Sequence, residues 1–314
     1  GGRCNVTLVS DLKDYPSTLA GVKSILFNAR IPEKIYTQHA RYLILWHVGN
    51  VDIGYDMFPR IMEVVARYAR QGVSVIINQA DAWAGTVETM ERFILYVTAE
   101  LKRMGALHVH GIQTINRGRD TGGYLRLAEY MQEHRELQSE HMLFVHSKTE
   151  STWRNDMLDR VCGRSDECIA YLDQHLDTLM VGQRTMHNDG ANLPAIIDMC
   201  KTLGWEPPLE IDADVMARIK STRKPHIASL IYARRNTSAK KIKFDFIPGT
   251  MFWMRTDYWN KIYNSHRSNW ISIEQTMELG DTHDRLQVSS AHAMERLLGL
   301  AAHRYHYKVA GLPN

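Results

Sequence analysis

The chain has no run of about 20 apolar residues, the length that spans a bilayer, and no basic start followed by an apolar core. Those absences give the expectation of a soluble, cytoplasmic protein, with peripheral attachment to a membrane as the alternative. Cysteine is scarce: Cys4, Cys162, Cys168 and Cys200 form no CxxC pair. That spacing argues against a disulfide framework and a tetrahedral zinc-thiolate site, and leaves reduced thiols. Charge of one sign is not in excess either, because 38 Lys and Arg face 35 Asp and Glu for a net charge of +3. A nucleic-acid partner is therefore not expected, and any phosphate recognition must be local. The basic stretches 218–224 and 234–243 read as solvated faces. Neither a GxGxxG fingerprint nor a P-loop is present, which argues against a standard dinucleotide fold and a P-loop phosphotransferase. Internal repeats and low-complexity segments are also missing.

What is present is an ordinary globular composition of 314 residues, 44% hydrophobic and 23% charged, enough to bury a substantial core. Residues 1–40 read as an irregular lead-in. Buried strands are expected at 41–47 (RYLILWH), 73–78 (VSVIIN), 107–115 and 141–145. Helices are expected between them at 56–71, 86–104 and 125–134, the first two closed by Gly72 and Gly105. Alternation of this kind predicts an α/β fold with a mainly parallel sheet and helices on both faces. Beyond residue 150 the rhythm changes. Helices are expected over 153–178, 191–203, 215–220 and 292–302, a loop over 238–243, and strand, Pro-Gly turn, strand over 244–254. The division is thus an α/β half at 41–150 and a second half of the same domain at 151–314.

In open α/β sheets, ligands sit at the carboxyl ends of the strands. Those ends carry His47, Asn78 and Asp81, then Asn116, Arg117, Arg119 and Asp120, then His146, Ser147 and Lys148. Arg117 or Arg119 can meet a phosphate with a planar fork and Lys148 as a point charge, while Asp81 or Asp120 can accept from ribose hydroxyls or a base edge. This inventory suits a nucleoside diphosphate. The plainer reading of NRGRDTGGY is a helix cap with glycines closing the turn.

The motifs NRGRD followed by an aromatic, VHSKT, PGTMFWMR and AHAMERLLG, in that order, resemble the rhamnan synthesis protein F family of glycosyltransferases. The resemblance spans residues 41–311 and implies a divergent GT-A-like fold, with 41–150 as the nucleotide-sugar-binding half and 151–314 as the acceptor-binding half. It further implies transfer of a sugar, rhamnose or another deoxysugar, from a nucleotide-sugar donor to a glycan acceptor. GT-A enzymes usually end the fourth strand in Asp-x-Asp, which holds a divalent metal on the diphosphate; His146-Ser147-Lys148 stands there instead. An ammonium repels a cation and attracts phosphate, so the expectation is a metal-independent transfer in which Lys148 and an arginine meet the leaving charge.

The alternative metal pair is Asp212 and Asp214, with Mn²⁺ or Mg²⁺ as the ion, although Asp212 also fits as a helix cap. On the acceptor side, Gly249 and Thr250 permit close approach of backbone to a sugar, and Phe252 and Trp253 offer faces for pyranose rings or simply fill the core. The resemblance places a base on the last helix, where His292 and Glu295 lie three apart and either can serve while the other orients it. Asp281 and Asp284 rank below them, and Asn188 and Asp189 read as turn residues. A non-catalytic glycan- or nucleotide-binding module on the same fold is the other class this pattern admits.

Overall fold

The computed structural model describes residues 23–25, 39–81, 87–188, 190–279 and 290–314. Its centre is an eight-stranded sheet in the order β1-β4-β3-β2-β5-β9-β6-β10. The first half is β2 (Tyr42–Val48), α1 (Val51–Tyr68), β3 (Val73–Asp81), α2 (Val87–Arg103), β4 (Val109–Ile115), α3 (Arg119–Glu133) and β5 (His141–His146). β1 (Lys23–Ile25) pairs antiparallel with β4 at the edge, so part of the lead-in is a strand.

The parallel core forms for the reason its sequence gives. Along β2 the side chains alternate between two apolar clusters: Tyr42, Ile44, Trp46 and Val48 pack with α1 and α2 residues such as Phe58, Ile61 and Phe93. Leu43 and Leu45 face the opposite cluster, beside Tyr124 and Leu127 of α3 and Met294 and Leu297 of α11 (Ser290–Arg304). A strand covered on both faces reads as one apolar run, as 41–47 does. The sequence therefore has the α/β fold it predicts, a mainly parallel sheet flanked by helices.

From β2 the chain moves to β3 and β4 on one side, then returns to lay β5 on the other. This is a topological switch point, where the connections leave in opposite directions and open a crevice at the carboxyl edge. His47 and His146 are register partners across it.

The second half departs from the sequence expectation. The stretch 153–178 is not one helix: α4 (Ser151–Leu158) runs into a π-turn at Asp159–Gly163, α5 (Ser165–Gln174) follows, and Thr178 opens β6 (Thr178–Gly182). After β7 (Met186–His187) come α6 (Leu193–Leu203), α7 (Ala213–Ser221) and α8 (Pro225–Arg235), the last absent from the sequence reading. The strands around Pro248-Gly249 exist as β8 (Asp245–Phe246) and β9 (Phe252–Arg255), yet they belong to different sheets. β8 pairs with β7, whereas β9 lies antiparallel between β5 and β6. α9 (Thr256–Asn264), α10 (Arg267–Thr276), α11 and β10 (Lys308–Gly311) complete the chain. The second half thus extends the first half's sheet.

Two helices start earlier than their apolar pattern indicated. α1 begins at Val51, where the Asn50 side chain caps it by accepting from Ile53 N at 3.0 Å. α3 begins at Arg119, and its first turns contain Gly122 and Gly123. Glycine is a poor helix former, so only packing can put it there.

Candidate active site

Four segments far apart in sequence meet above the β2–β5 crevice. Gly249 and Thr250 sit in the turn between β8 and β9 with φ of 87° and 56°, the left-handed region. Glycine tolerates this, and here it must also be glycine for space: a Cβ on Gly249 would lie 2.5 Å from Met157 Sδ and 3.0 Å from Trp153. A β-branched threonine does not tolerate it without support, and such strained residues collect at functional sites. The support comes from Glu295 on α11. Its Oε2 accepts from Gly249 N at 2.7 Å and from the Thr250 hydroxyl at 3.1 Å. On the other side of the turn, His146 Nε2 donates to the Gly249 carbonyl at 2.7 Å and lies 3.4 Å from Asp120 Oδ2.

The charges at this junction are unusual. Burial alone would raise the Asp120 carboxyl, but His146, Lys148, His47 and His292 surround it and together hold it below the ordinary carboxylate value. Burial raises the Glu295 carboxyl; Arg296 pulls it back, Asp120 lifts it further, and the two hydrogen bonds of the turn lower it, with a net upward result. Two carboxyls pushed in opposite directions beside a crevice are the kind of perturbation that gathers at functional sites. His292 reaches the surface one turn before Glu295. Protein packed around its ring nevertheless disfavours the imidazolium, which Asp120 opposes and Arg119 reinforces.

The Lys148 ammonium rests 4.0 Å from the centre of the Trp153 ring, a cation–π contact that fixes its direction. Trp153 is partly exposed, and Arg184 lies 5.8 Å from the same ring. Neither residue stood out in the sequence. The signal was the short spacing from Lys148 to Trp153 across the strand-to-helix turn.

Several residues expected to touch ligand have other occupations. Asn78 is wholly buried, with its amide 3.1 Å from His47 Nδ1 and its carbonyl accepting from Thr114 at 2.9 Å. Both Asn78 and His47 therefore build the floor of the crevice. Asn116 is 8% exposed, also below the surface. The Ser147 hydroxyl accepts from Gly49 N at 2.7 Å and Asn50 N at 3.3 Å, tying the β2–α1 turn to β5. Arg117 donates from Nη1 to the Gln275 and Met277 carbonyls at 2.7 and 3.3 Å, where it satisfies the end of α10.

Phe252 and Trp253 are 1% and 0% exposed, in opposite apolar clusters, so neither presents a face to a sugar. The reason is that β9 is an interior strand with both faces covered. Asp212 caps α7 by accepting from Asp214 N at 2.8 Å, and α7 packs on α6 and α8, which take no part in the crevice. The side chain of Asp81, and Asp189, Asp281 and Asp284, lie outside the described residues. Arg119, Asp120, His146, Lys148, Gly249, Thr250, His292 and Glu295 are the predicted residues that come together.

The fit to a divalent metal is poor at this edge. Asp120 has the Lys148 ammonium beside it, which opposes a second cation there. Among the described residues no group of three metal-ligating side chains converges there.

No family model matches the chain, and no curated protein matches it. Among solved structures it is similar to "X-ray structure of the mannosyltransferase Ktr4p from S. cerevisiae", with 8% identity, a TM-score of 0.36 and 82% of this chain covered. The chain spans 66% of that protein's length. A likeness this weak assigns neither substrate nor residue roles.

Proposed function

We propose that the protein is a glycosyltransferase of GT-A-like architecture. In this reading it moves a sugar, rhamnose or another deoxysugar first among the candidates, from a nucleoside-diphosphate donor to a glycan hydroxyl. Membership of the rhamnan synthesis protein F family belongs to the same proposal. The observation that carries it is the junction at Gly249-Thr250, where the motifs NRGRD, HSK, PGT and HAMER meet around Asp120 and Glu295.

In this reading the diphosphate lies over the β2–β5 crevice, with Lys148 and Arg119 toward its oxygens and Asp120 toward the ribose. The acceptor oxygen bonds to the anomeric carbon, and the bond from that carbon to the phosphate oxygen breaks, its electron pair leaving with the diphosphate. The hydroxyl proton passes to His292, whose ring favours the neutral, proton-accepting form. Glu295, with one oxygen already taken by two hydrogen bonds, holds the strained turn against which the acceptor packs. Fixed cations aimed at the leaving charge supply the stabilisation a metal gives elsewhere.

The test is a panel of UDP, GDP, dTDP and CDP sugars, read by thermal shift and by release of the nucleoside diphosphate, with Mn²⁺ and with EDTA. One donor should stabilise the protein and turn over in EDTA, and Lys148→Ala should lower turnover about 10²-fold or more, the usual cost of losing a transition-state charge partner. If no nucleotide sugar binds, the proposal fails. Activity lost in EDTA and restored by Mn²⁺ would overturn the metal-free mechanism while leaving the activity standing.

A further inference from the structure

At the opposite, amino-terminal end of the sheet, His110 of β4, His134 at the end of α3 and Glu136 in the short 3-10 turn Arg135–Leu137 form a second cluster. Their ligating atoms all lie within 4.8 Å of one another. His110 is 8% exposed, and its Nε2 is 3.8 Å from Glu136 Oε1. Both rings are oriented by one tyrosine. His110 Nδ1 is 2.8 Å from the Tyr130 hydroxyl, and His134 Nδ1 donates to the Tyr130 carbonyl at 2.8 Å. Donation from Nδ1 to a carbonyl fixes the tautomer that leaves Nε2 with its lone pair, which is how metal-binding histidines are usually held. The His134 ring also stacks on Tyr130 at 3.9 Å, and it meets His110 edge-on at 5.5 Å.

His108 precedes His110 by two residues in the same extended segment, so the two side chains leave it on the same face. Its buried Nε2 has no hydrogen-bond partner. Two imidazoles and a carboxylate are the donor set of a borderline ion such as Zn²⁺. With ligands about 2.1 Å from zinc, tetrahedral neighbours stand about 3.4 Å apart. The 3.8 Å between His110 and Glu136 therefore needs to close by only a few tenths of an ångström. Glu136 is 35% exposed, which leaves a way in for the ion.

We propose that His110, His134 and Glu136 bind one divalent transition ion of the zinc class, with water in the fourth position. The ion would clamp the end of α3 to the start of β4, on the edge of the sheet away from the crevice. Its role is structural, and the inference does not depend on the proposed transferase activity.

The test uses the full chain, stripped with a chelator and titrated with Co²⁺ as a spectroscopic probe, then with Zn²⁺ in competition. One equivalent of Co²⁺ should give visible d–d bands of a four-coordinate site, and Zn²⁺ should bleach them and raise the unfolding temperature. His110→Gln with His134→Gln should abolish the bands, and Glu136→Gln should weaken Co²⁺ binding at least tenfold with the circular dichroism spectrum unchanged. Because Glu136 is partly exposed, its variant keeps the test valid if the double variant misfolds. His175→Gln, an exposed histidine elsewhere, should change nothing. Co²⁺ binding that is absent, or that persists equally in Glu136→Gln and His175→Gln, overturns the proposal.

Discussion

Replacing Gly123 by alanine puts one methyl group against the floor of the crevice, and its effect can be worked out before it is measured. An added Cβ would lie 2.2 Å from His47 Nδ1 and 2.5 Å from Cε1 and Cγ of the same ring. Ordinary contact begins near 3.4 Å, so the ring must retreat by more than 1 Å, and a ring only 3% exposed has little room for that. The retreat also breaks the 3.1 Å contact with Asn78, whose other hydrogen bond is to Thr114. Overpacking costs about 1–3 kcal/mol, and a lost buried hydrogen bond adds about 1 kcal/mol. Alanine returns at most about 1 kcal/mol of helix propensity, which leaves a net loss of about 2 kcal/mol.

Gly122→Ala should be worse. Its Cβ would sit 1.9 Å from the Arg117 carbonyl oxygen, which already accepts from Arg126 at 3.0 Å, and backbone yields less than a side chain. Gly49→Ala is the control, since its Cβ meets only Ser147 Oγ at 3.7 Å. The measurement is equilibrium urea unfolding of the three variants, comparing midpoints at constant slope. Should Gly123→Ala and Gly122→Ala match or exceed the parent, helix propensity has won and the packing account of these glycines is wrong.

Glu274 is 1% exposed and pairs with the fully buried Arg126 at 2.8 Å, so Glu274→Ala should cost about 3–5 kcal/mol by stranding the guanidinium; calorimetry would read it, and a loss under 1 kcal/mol would contradict the burial. Trp253→Ala should cost about 3–5 kcal/mol in denaturant unfolding, while the milder Trp253→Phe should leave the acceptor KM unchanged; a raised KM in that folded variant would restore the ring to the acceptor site. Burial lowers His47 to about 3 and His110 to about 4 from 6.5, so the unfolded chain takes up protons first. Stability is full above pH 6.5 and is lost as the pH falls toward 4 and then 3, and His47→Gln should flatten that slope in a pH series of thermal melts.

The strands that were legible before the fold was seen are those whose environment is the same on both sides. β2, β3 and β5 each carry an unbroken or nearly unbroken apolar run because helices cover each face, and they fall within two residues of their expected places, apart from the last residues of β3. β6 (TLMVG) is just as apolar, but it follows closely on α5, the expected helix 153–178 runs into its first residue, and no strand was expected over 179–182. β9 was legible as a strand though not as a member of the central sheet, since its paired residues on β5 and β6 are 70 to 114 positions away in sequence. In the site, Asp120, Lys148 and Glu295 could be chosen by residue type and position. Phe252 and Trp253 could not be dismissed, because an aromatic looks the same in a sequence whether it faces a sugar or the core.

The amino-acid sequence by itself determines the α/β class, the helices and strands of the first half, and the segments that carry reactive side chains. Those are consequences of local periodicity and residue chemistry. Only the tertiary structure decides which of those side chains work together. Arg117 is drawn into capping α10 and Asn78 into a buried network, while Glu295 is brought to the turn at Gly249 from 46 residues away. Hydrogen-bond partnership and burial depend on what folds over each residue, and neither has a period that the chain can display.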